Sequence, residues 1–194
     1  MRLTLTLMLL LAYFAGSINF AIILLGLLGG EDPRTKFSGN AGTTNVYRQA
    51  GIGWAAVVLL LDAGRAVGLA ALALYILPAP LIPWVGTALI AGNRFPCFHR
   101  FQGGKGVASF LGFTIPIAPW GAVLSCLVWV AVYGIVRIPF VASFFMVLVL
   151  GGAAAWSGGA QAIPIAGTVV TVLLVFLSHW KNIVTLLAER RRKM

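Results

Sequence analysis

The chain has 194 residues; 60% are hydrophobic, only 9% are charged, and the net charge is +10. A soluble domain spends about a quarter of its residues on Asp, Glu, Lys and Arg. Here 14 basic and four acidic side chains cannot cover a water-facing surface, so a soluble globular fold is excluded. Two cysteines, Cys97 and Cys126, argue against a disulfide framework and are too few for a structural metal site.

Residues 3–29 form the first apolar run, long enough to span a hydrocarbon core of roughly 30 Å. The run is too long for a signal peptide, and no small-residue cleavage site with polar sequence follows it. Further runs cover 52–77, 81–93, 106–117, 119–136, 139–157 and 162–178, punctuated by Pro78, Pro80, Pro83, Pro116, Pro119, Pro139 and Gly158-Gly159. In lipid only helices or closed barrels satisfy the backbone, and these runs lack the two-residue alternation of barrel strands. Helices are therefore predicted. Segments 81–93 and 106–117 fall short of the ~20 residues a full crossing needs, so they read as short, tilted or re-entrant.

Charge then sets the topology. With seven crossings, Arg34, Lys36, Arg48, Arg94, Arg100, Lys105, Arg137, Lys181, Arg190, Arg191, Arg192 and Lys193 all fall on one side. The opposite turns, near 78–80, 118 and 158–161, carry no basic residue. The positive-inside rule puts that basic side in the cytoplasm and the N-terminus outside. The expected fold is thus an all-α polytopic membrane protein with seven transmembrane helices, forming a single domain over residues 1–194. Topology accounts for the charge, which removes the main reason to expect a nucleic-acid partner. The run from Glu189 to Lys193 reads as a juxtamembrane anchor for anionic lipid.

Two polar loops are richer than connections require. Residues 34–51 carry three glycines together with Ser38, Asn40, Thr43, Asn45, Tyr47 and Arg48. Glycines let backbone N–H groups turn towards a bound anion, Ser38, Asn40 and Asn45 offer neutral hydrogen bonds, and Arg48 offers a planar fork for phosphate. The bland alternative is a polar turn carrying inside-positive charge; so many short polar side chains exceed what that rule asks for. Residues 101–106, Phe-Gln-Gly-Gly-Lys-Gly, precede an apolar run. Gly103 and Gly104 would leave free N–H groups at a helix N-terminus, with the Lys105 charge beside them, the chemistry of a phosphate cradle. A flexible turn would look similar. It is not a nucleotide-binding P-loop, since His99 stands where the first glycine would fall and Gly106 follows the lysine.

His179 and Asn182, three apart where the last run meets the cytoplasmic side, are expected on one helical face. Inside the second run, Asp62 and Arg65 are one turn apart and read as a structural ion pair or a catalytic one. Tryptophans near run ends, including Trp54, Trp84, Trp120, Trp156 and Trp180, read as interfacial anchors.

Together the polar stretches resemble the bacterial integral-membrane acyl-phosphate:glycerol-3-phosphate acyltransferases, the PlsY family. The motifs are Ser38-Gly39-Asn40-Ala41-Gly42-Thr43-Thr44-Asn45-Val46-Tyr47-Arg48, then Gly92-Asn93-Arg94-Phe95-Pro96 with Phe101-Gln102-Gly103-Gly104-Lys105-Gly106-Val107-Ala108, then His179-Trp180-Lys181-Asn182-Ile183. The resemblance implies a seven-helix enzyme of the bacterial inner membrane, its active site facing the cytoplasm. It would transfer a fatty acyl group from acyl-phosphate to the 1-hydroxyl of glycerol 3-phosphate, giving lysophosphatidic acid for phospholipid synthesis. No cofactor, metal or obligate protein partner is implied. By the same resemblance Ser38, Arg48, Lys105, Ser143, His179 and Asn182 match substrate-binding and catalytic positions. Arg48, Lys105, Gly103, Gly104, Asn40, Asn45 and Ser143 are then assigned to substrate phosphates, and His179, Asn182 and Ser38 to catalysis. The chain departs from the family pattern at Phe37, where glycine is usual, at Asn19 for Pro, Asn93 for His, Gln102 for Lys, Arg65 for Lys, and Phe140, a position often held by Ser. The rival class is a transporter or channel for a phosphate-bearing anion, which would also want cationic, glycine-bearing loops. Against it, the polar residues collect on one side rather than at the midplane.

Overall fold

Apart from short 3-10 turns, every regular element among the described residues is an α-helix; the structure, a computed structural model, describes residues 1–159 and 161–191. Arg192 and Lys193 of the basic tail lie outside them. In chain order the helices are α1 (Arg2–Ser17), α2 (Phe20–Leu27), α3 (Thr43–Ile76), α4 (Ile82–Arg94), α5 (Val107–Thr114), α6 (Pro119–Val136), α7 (Pro139–Ser157), α8 (Ala162–Ser178) and α9 (Trp180–Arg191). Prolines open α6 and α7 at their first position, where a missing N–H costs nothing. Large side chains face outward throughout; Ile135 is 84% exposed and Trp156 82%. Such a surface is stable only against lipid, so the chain is an integral membrane protein.

Four helical segments are long and apolar enough to cross a membrane: Arg2–Leu27, Thr43–Ile76, Pro119–Val136 and Pro139–Ser157; Ala162–Ser178 with Trp180–Arg191 makes a fifth as a bent pair. α4 has 13 residues and α5 only eight, as their short apolar runs foretold. Three boundaries differ from the hydropathy reading. The run 3–29 is broken at Ile18–Asn19, where the Asn19 side chain accepts from the Ile22 N–H and caps α2. Residues 43–50 are helical rather than loop, joined to the rest of α3 across Gly51, whose φ is +84°. The tail after Ser178 folds as α9, bent 46° from α8.

The interior is built by close backbone approach. α1 lies against α4, α4 against α8, α3 against α5, and α6 against α7. A Cβ on Gly16 would sit 2.2 Å from the Leu89 carbonyl oxygen, and one on Gly92 2.1 Å from that of Tyr13, so only glycine permits the α1–α4 spacing. Met8, Ala12, Ala70, Val85, Leu89 and Phe113 fill the space beside this contact.

Asp62 and Arg65 form a structural staple. Arg65 Nη2 donates to Asp62 Oδ1 and to Ser109 Oγ, both at 3.0 Å, while Nη1 donates to the carbonyls of Ala15, at 2.9 Å, and Ile18. The guanidinium also lies 5.2 Å from the Phe20 ring centroid. One side chain therefore satisfies the carbonyls freed by the α1–α2 break and ties α1, α3 and α5 together.

Candidate active site

The two polar loops meet at one end of the bundle. Arg34, which sequence reasoning treated only as inside-positive charge, makes the junction. Asp32 grips it through two carboxylate oxygens, and its Nη1 donates to the carbonyls of His99, at 2.8 Å, and Gln102, at 3.3 Å. Arg34's hydrogen bonds hold the Asp32 carboxyl below its ordinary range, so the pair stays ionised at neutral pH. A second tie runs from Asn19 Nδ2 to the Ala41 carbonyl at 3.1 Å, which gives the unexpected Asn19 a purpose at both ends of its amide.

Gly103 and Gly104 serve this docking. Their N–H groups, expected to be free for an anion, donate to the carbonyls of Arg94, at 3.2 Å, and Asn93, at 2.9 Å. A Cβ on Gly103 would lie 2.0 Å from the Asn93 carbonyl oxygen, and one on Gly104 2.8 Å from that of Ala41. The glycines thus let the second loop press against α4 and the first loop. The uncapped helix start lies one step on: α5 begins at Val107 after Gly106, with no side-chain cap. Lys105 sits at that start, half-buried. Asn93, buried beside Gly104, leaves its Oδ1 without a hydrogen-bond partner.

In the first loop Ser38 Oγ donates to Asn45 Oδ1 at 3.0 Å, and Asn45 Nδ2 donates to the carbonyls of Pro33 and Lys36. Asn45 is buried and its amide fully used, so here it shapes the loop instead of offering a free donor as expected. Arg48, on the first turns of α3, is exposed and makes no ion pair or hydrogen bond among the described residues; its guanidinium lies 5.6 Å from the Phe37 ring centroid. Asn40 lies half-buried in the same loop.

Lys105 links Arg48 to His179 electrostatically: the Arg48 charge acts on Lys105, and the Lys105 charge on His179. Burial, with the Arg48 charge adding to it, pushes the Lys105 ammonium down to about 8. His179 lies beyond the last long apolar helix, at the α8–α9 bend, and is almost wholly buried. Burial first, and the Lys105 charge second, push its imidazole down to about 4, so it is neutral at pH 7. Its Nδ1 lies 2.8 Å from the Val175 carbonyl. A carbonyl can only accept, so Nδ1 carries the proton and Nε2 keeps its lone pair. Phe144 packs edge-on at 5.1 Å and Phe140 lies 6.4 Å away, ring centroid to centroid.

Ser143 shares the α7 face that carries Phe140 and Phe144, by three- and four-residue spacing. Its Oγ donates to the Pro139 carbonyl at 3.0 Å and accepts from Trp129 Nε1 at 3.2 Å. His179 and Asn182 do not share one straight helix; they straddle the bend, where the Asn182 N–H donates to the His179 carbonyl at 2.9 Å. Asp32 and the clamping role of Arg34 go unread in the sequence, while Phe37 is visible there only as a departure from the family's glycine. The Asp-x-Arg spacing of 32–34 was the available signal for the first two.

Fold and site together define a helical integral-membrane protein whose polar end carries Arg48 and Lys105 with no acidic partner among the described residues, and a buried histidine at the α8–α9 bend. The glycerol-3-phosphate acyltransferase family model matches residues 6–189. Glycerol-3-phosphate acyltransferases of Myxococcus xanthus (39% identical, covering 95% of this chain and 96% of that one) and Bordetella pertussis (40% identical, 91% and 86%) align along nearly all of it. The crystal structure of PlsY, an integral membrane glycerol 3-phosphate acyltransferase, in its glycerol 3-phosphate form superposes with a TM-score of 0.88 at 30% identity, covering 96% of this chain and 94% of that one. A lysophosphatidic acid form of PlsY superposes at 0.85. This chain belongs to the glycerol-3-phosphate acyltransferase family and is a membrane enzyme of that kind, not a carrier.

Proposed function

We propose that the chain moves a fatty acyl group from acyl-phosphate to the 1-hydroxyl of glycerol 3-phosphate, at the cytoplasmic end of a single seven-crossing domain in the bacterial inner membrane. In this reading the N-terminus is outside, and α4 and α5 are short crossings completed by neighbouring loops. The observation that carries the reaction is that the Arg48 charge acts on Lys105, and the Lys105 charge on His179, at one polar end. Both substrates carry phosphate, and two cations without carboxylate partners among the described residues suit two phosphates held side by side.

The chemistry then needs little beyond placement. Acyl-phosphate is already activated, so no covalent enzyme intermediate is required; positioning and charge stabilisation supply the acceleration. Arg48 and Lys105 hold the phosphates, the uncapped N-terminus of α5 adds donors, and Ser38, Asn40, Ser143 and Asn182 orient the headgroups. Gly103, Gly104 and Asn45 contribute by fixing the loops that carry these groups. His179 Nε2 accepts the hydrogen bond of the 1-hydroxyl and relays its proton as oxygen attacks the acyl carbon. The carbon–oxygen bond to phosphate breaks, and the departing phosphate takes the proton, so the products are the ester and hydrogen phosphate. Substrate phosphates raise the affinity of His179 and Lys105 for protons, opposing the burial and neighbouring charge that depress them. The acyl tail lies among the helices in lipid-like surroundings.

The test is detergent-solubilised protein given acyl-phosphate and labelled glycerol 3-phosphate. A lipid-soluble labelled product that disappears in Lys105→Ala supports the reading. Vesicle uptake of label without product overturns it.

A further inference from the structure

Phe37 occupies a backbone conformation that aromatic residues rarely adopt. Its φ is +51°, in a turn closed by the Gly39 N–H donating to the Lys36 carbonyl at 2.9 Å. The left-handed region crowds a Cβ against the carbonyl, and glycine is the residue that fits it freely. The strain is not offset by core burial, for the side chain is 62% exposed. The ring makes one charged contact: the Arg48 guanidinium, 5.6 Å from its centroid. Arg48 in turn is exposed and has no hydrogen bond or ion pair among the described residues to fix it. Among the described residues the ring is its one directional contact. Ser38, the next residue, is tied to Asn45, so the turn that places the ring is itself anchored to the start of α3.

We propose that Phe37 is a positioning residue: its ring face holds the Arg48 guanidinium in place to receive a substrate phosphate. A long, solvent-exposed arginine loses rotamer freedom when it engages a ligand, and a ring that pre-orders it reduces that loss. The contact acts on substrate affinity, because Arg48 is gripped equally well before and during the reaction. The inference rests on the proposed role of Arg48, and the variants below separate the two.

Kinetics with varied glycerol 3-phosphate and varied acyl-phosphate test it. Phe37→Leu keeps an apolar side chain of similar reach at the membrane surface but removes the ring face. It is expected to raise one substrate's KM about two- to five-fold, the range of an exposed cation–π contact, with kcat little altered. Phe37→Tyr restores the KM to within about twofold of the native value, since the ring face remains. Phe37→Gly raises KM as Phe37→Leu does, yet unfolds at a higher temperature because the turn is relaxed. In an Arg48→Ala background, Phe37→Leu adds nothing further. A native KM in Phe37→Leu, while Arg48→Ala raises it, overturns the positioning role and leaves the function of Arg48 standing. The same KM increase in both backgrounds also overturns it, because the ring then acts through the loop. If Arg48→Ala itself binds both substrates normally, the reading of Arg48 fails and the inference falls with it.

Discussion

Two clusters of charge in this protein are arranged in opposite ways. Arg65 is compensated: Asp62, Ser109 and two backbone carbonyls accept from its two terminal nitrogens within the bundle, and Nε alone is left without a partner among the described residues. Lys105, at the polar end, lies under the charge of Arg48, and neither has a carboxylate partner among the described residues. A compensated charge holds helices together. Cations left uncompensated in one place raise the free energy of the empty protein and lower it again when an anion arrives. The comparison separates staple from site without reference to sequence position.

The largest effect is expected at the staple. Arg65→Ala strands Asp62 in the bundle and frees the carbonyls of Ala15 and Ile18; breaking such a buried pair costs about 3–5 kcal/mol. Thermal unfolding in detergent is expected to fall on the order of 10 °C. An unchanged melting temperature would show that α1, α3 and α5 hold without it. Lys105→Ala is the converse case. It is expected to lower kcat/KM for glycerol 3-phosphate about 100- to 1,000-fold, as for loss of one transition-state charge contact, with no loss of thermal stability. Normal turnover at low substrate would remove the phosphate role.

Acidity sharpens the contrast with two opposite trends. The empty protein holds Lys105 near 8, against an ordinary value of 10.5. Between these values the unfolded chain binds more protons than the folded one, so stability rises with pH through that window. Phosphate affinity runs the other way, weakening above about pH 8 as the ammonium is lost. Melting curves and KM measured across this range, with Lys105→Met as reference, are expected to show both trends in the native chain and neither in the variant. The smallest effect is expected at the loop junction. Arg34→Ala loses the bonds to His99 and Gln102 while leaving both site cations in place. Hydrogen bonds worth about 1 kcal/mol predict a KM rise of roughly five-fold. No change would mean the loops dock without this clamp.

Much of this was legible beforehand because lipid makes hydropathy nearly sufficient. The runs from 119 to 178 match α6, α7 and α8 almost to the residue, since prolines and paired glycines cut them sharply. The break at Ile18–Asn19 was invisible, because it is made by an amide cap and by an arginine some 47 positions away, not by a local loss of hydrophobicity. Helix α9 was read as a charged tail because its basic end dominates. In its first turns Trp180, Val184 and Leu187 nevertheless recur at helical spacing and stay exposed. At the site, the residue types were readable and their duties less so. Gly103 and Gly104 announce a tight loop in either reading; only coordinates reveal that their N–H groups are spent on Arg94 and Asn93. Arg34 is ambiguous in sequence, because a clamp and a topology signal use the same side chain and only the Asp-x-Arg spacing of 32–34 points to the clamp.

The bend between α8 and α9 has a mechanical consequence. His179 is both the capping residue of the bundle helix and the pivot for a helix whose outward side chains suit a bilayer surface. The imidazole, packed by Phe140 and Phe144, therefore sits where the chain turns by 46° into α9, so the direction of its Nε2 lone pair is tied to the angle of that bend.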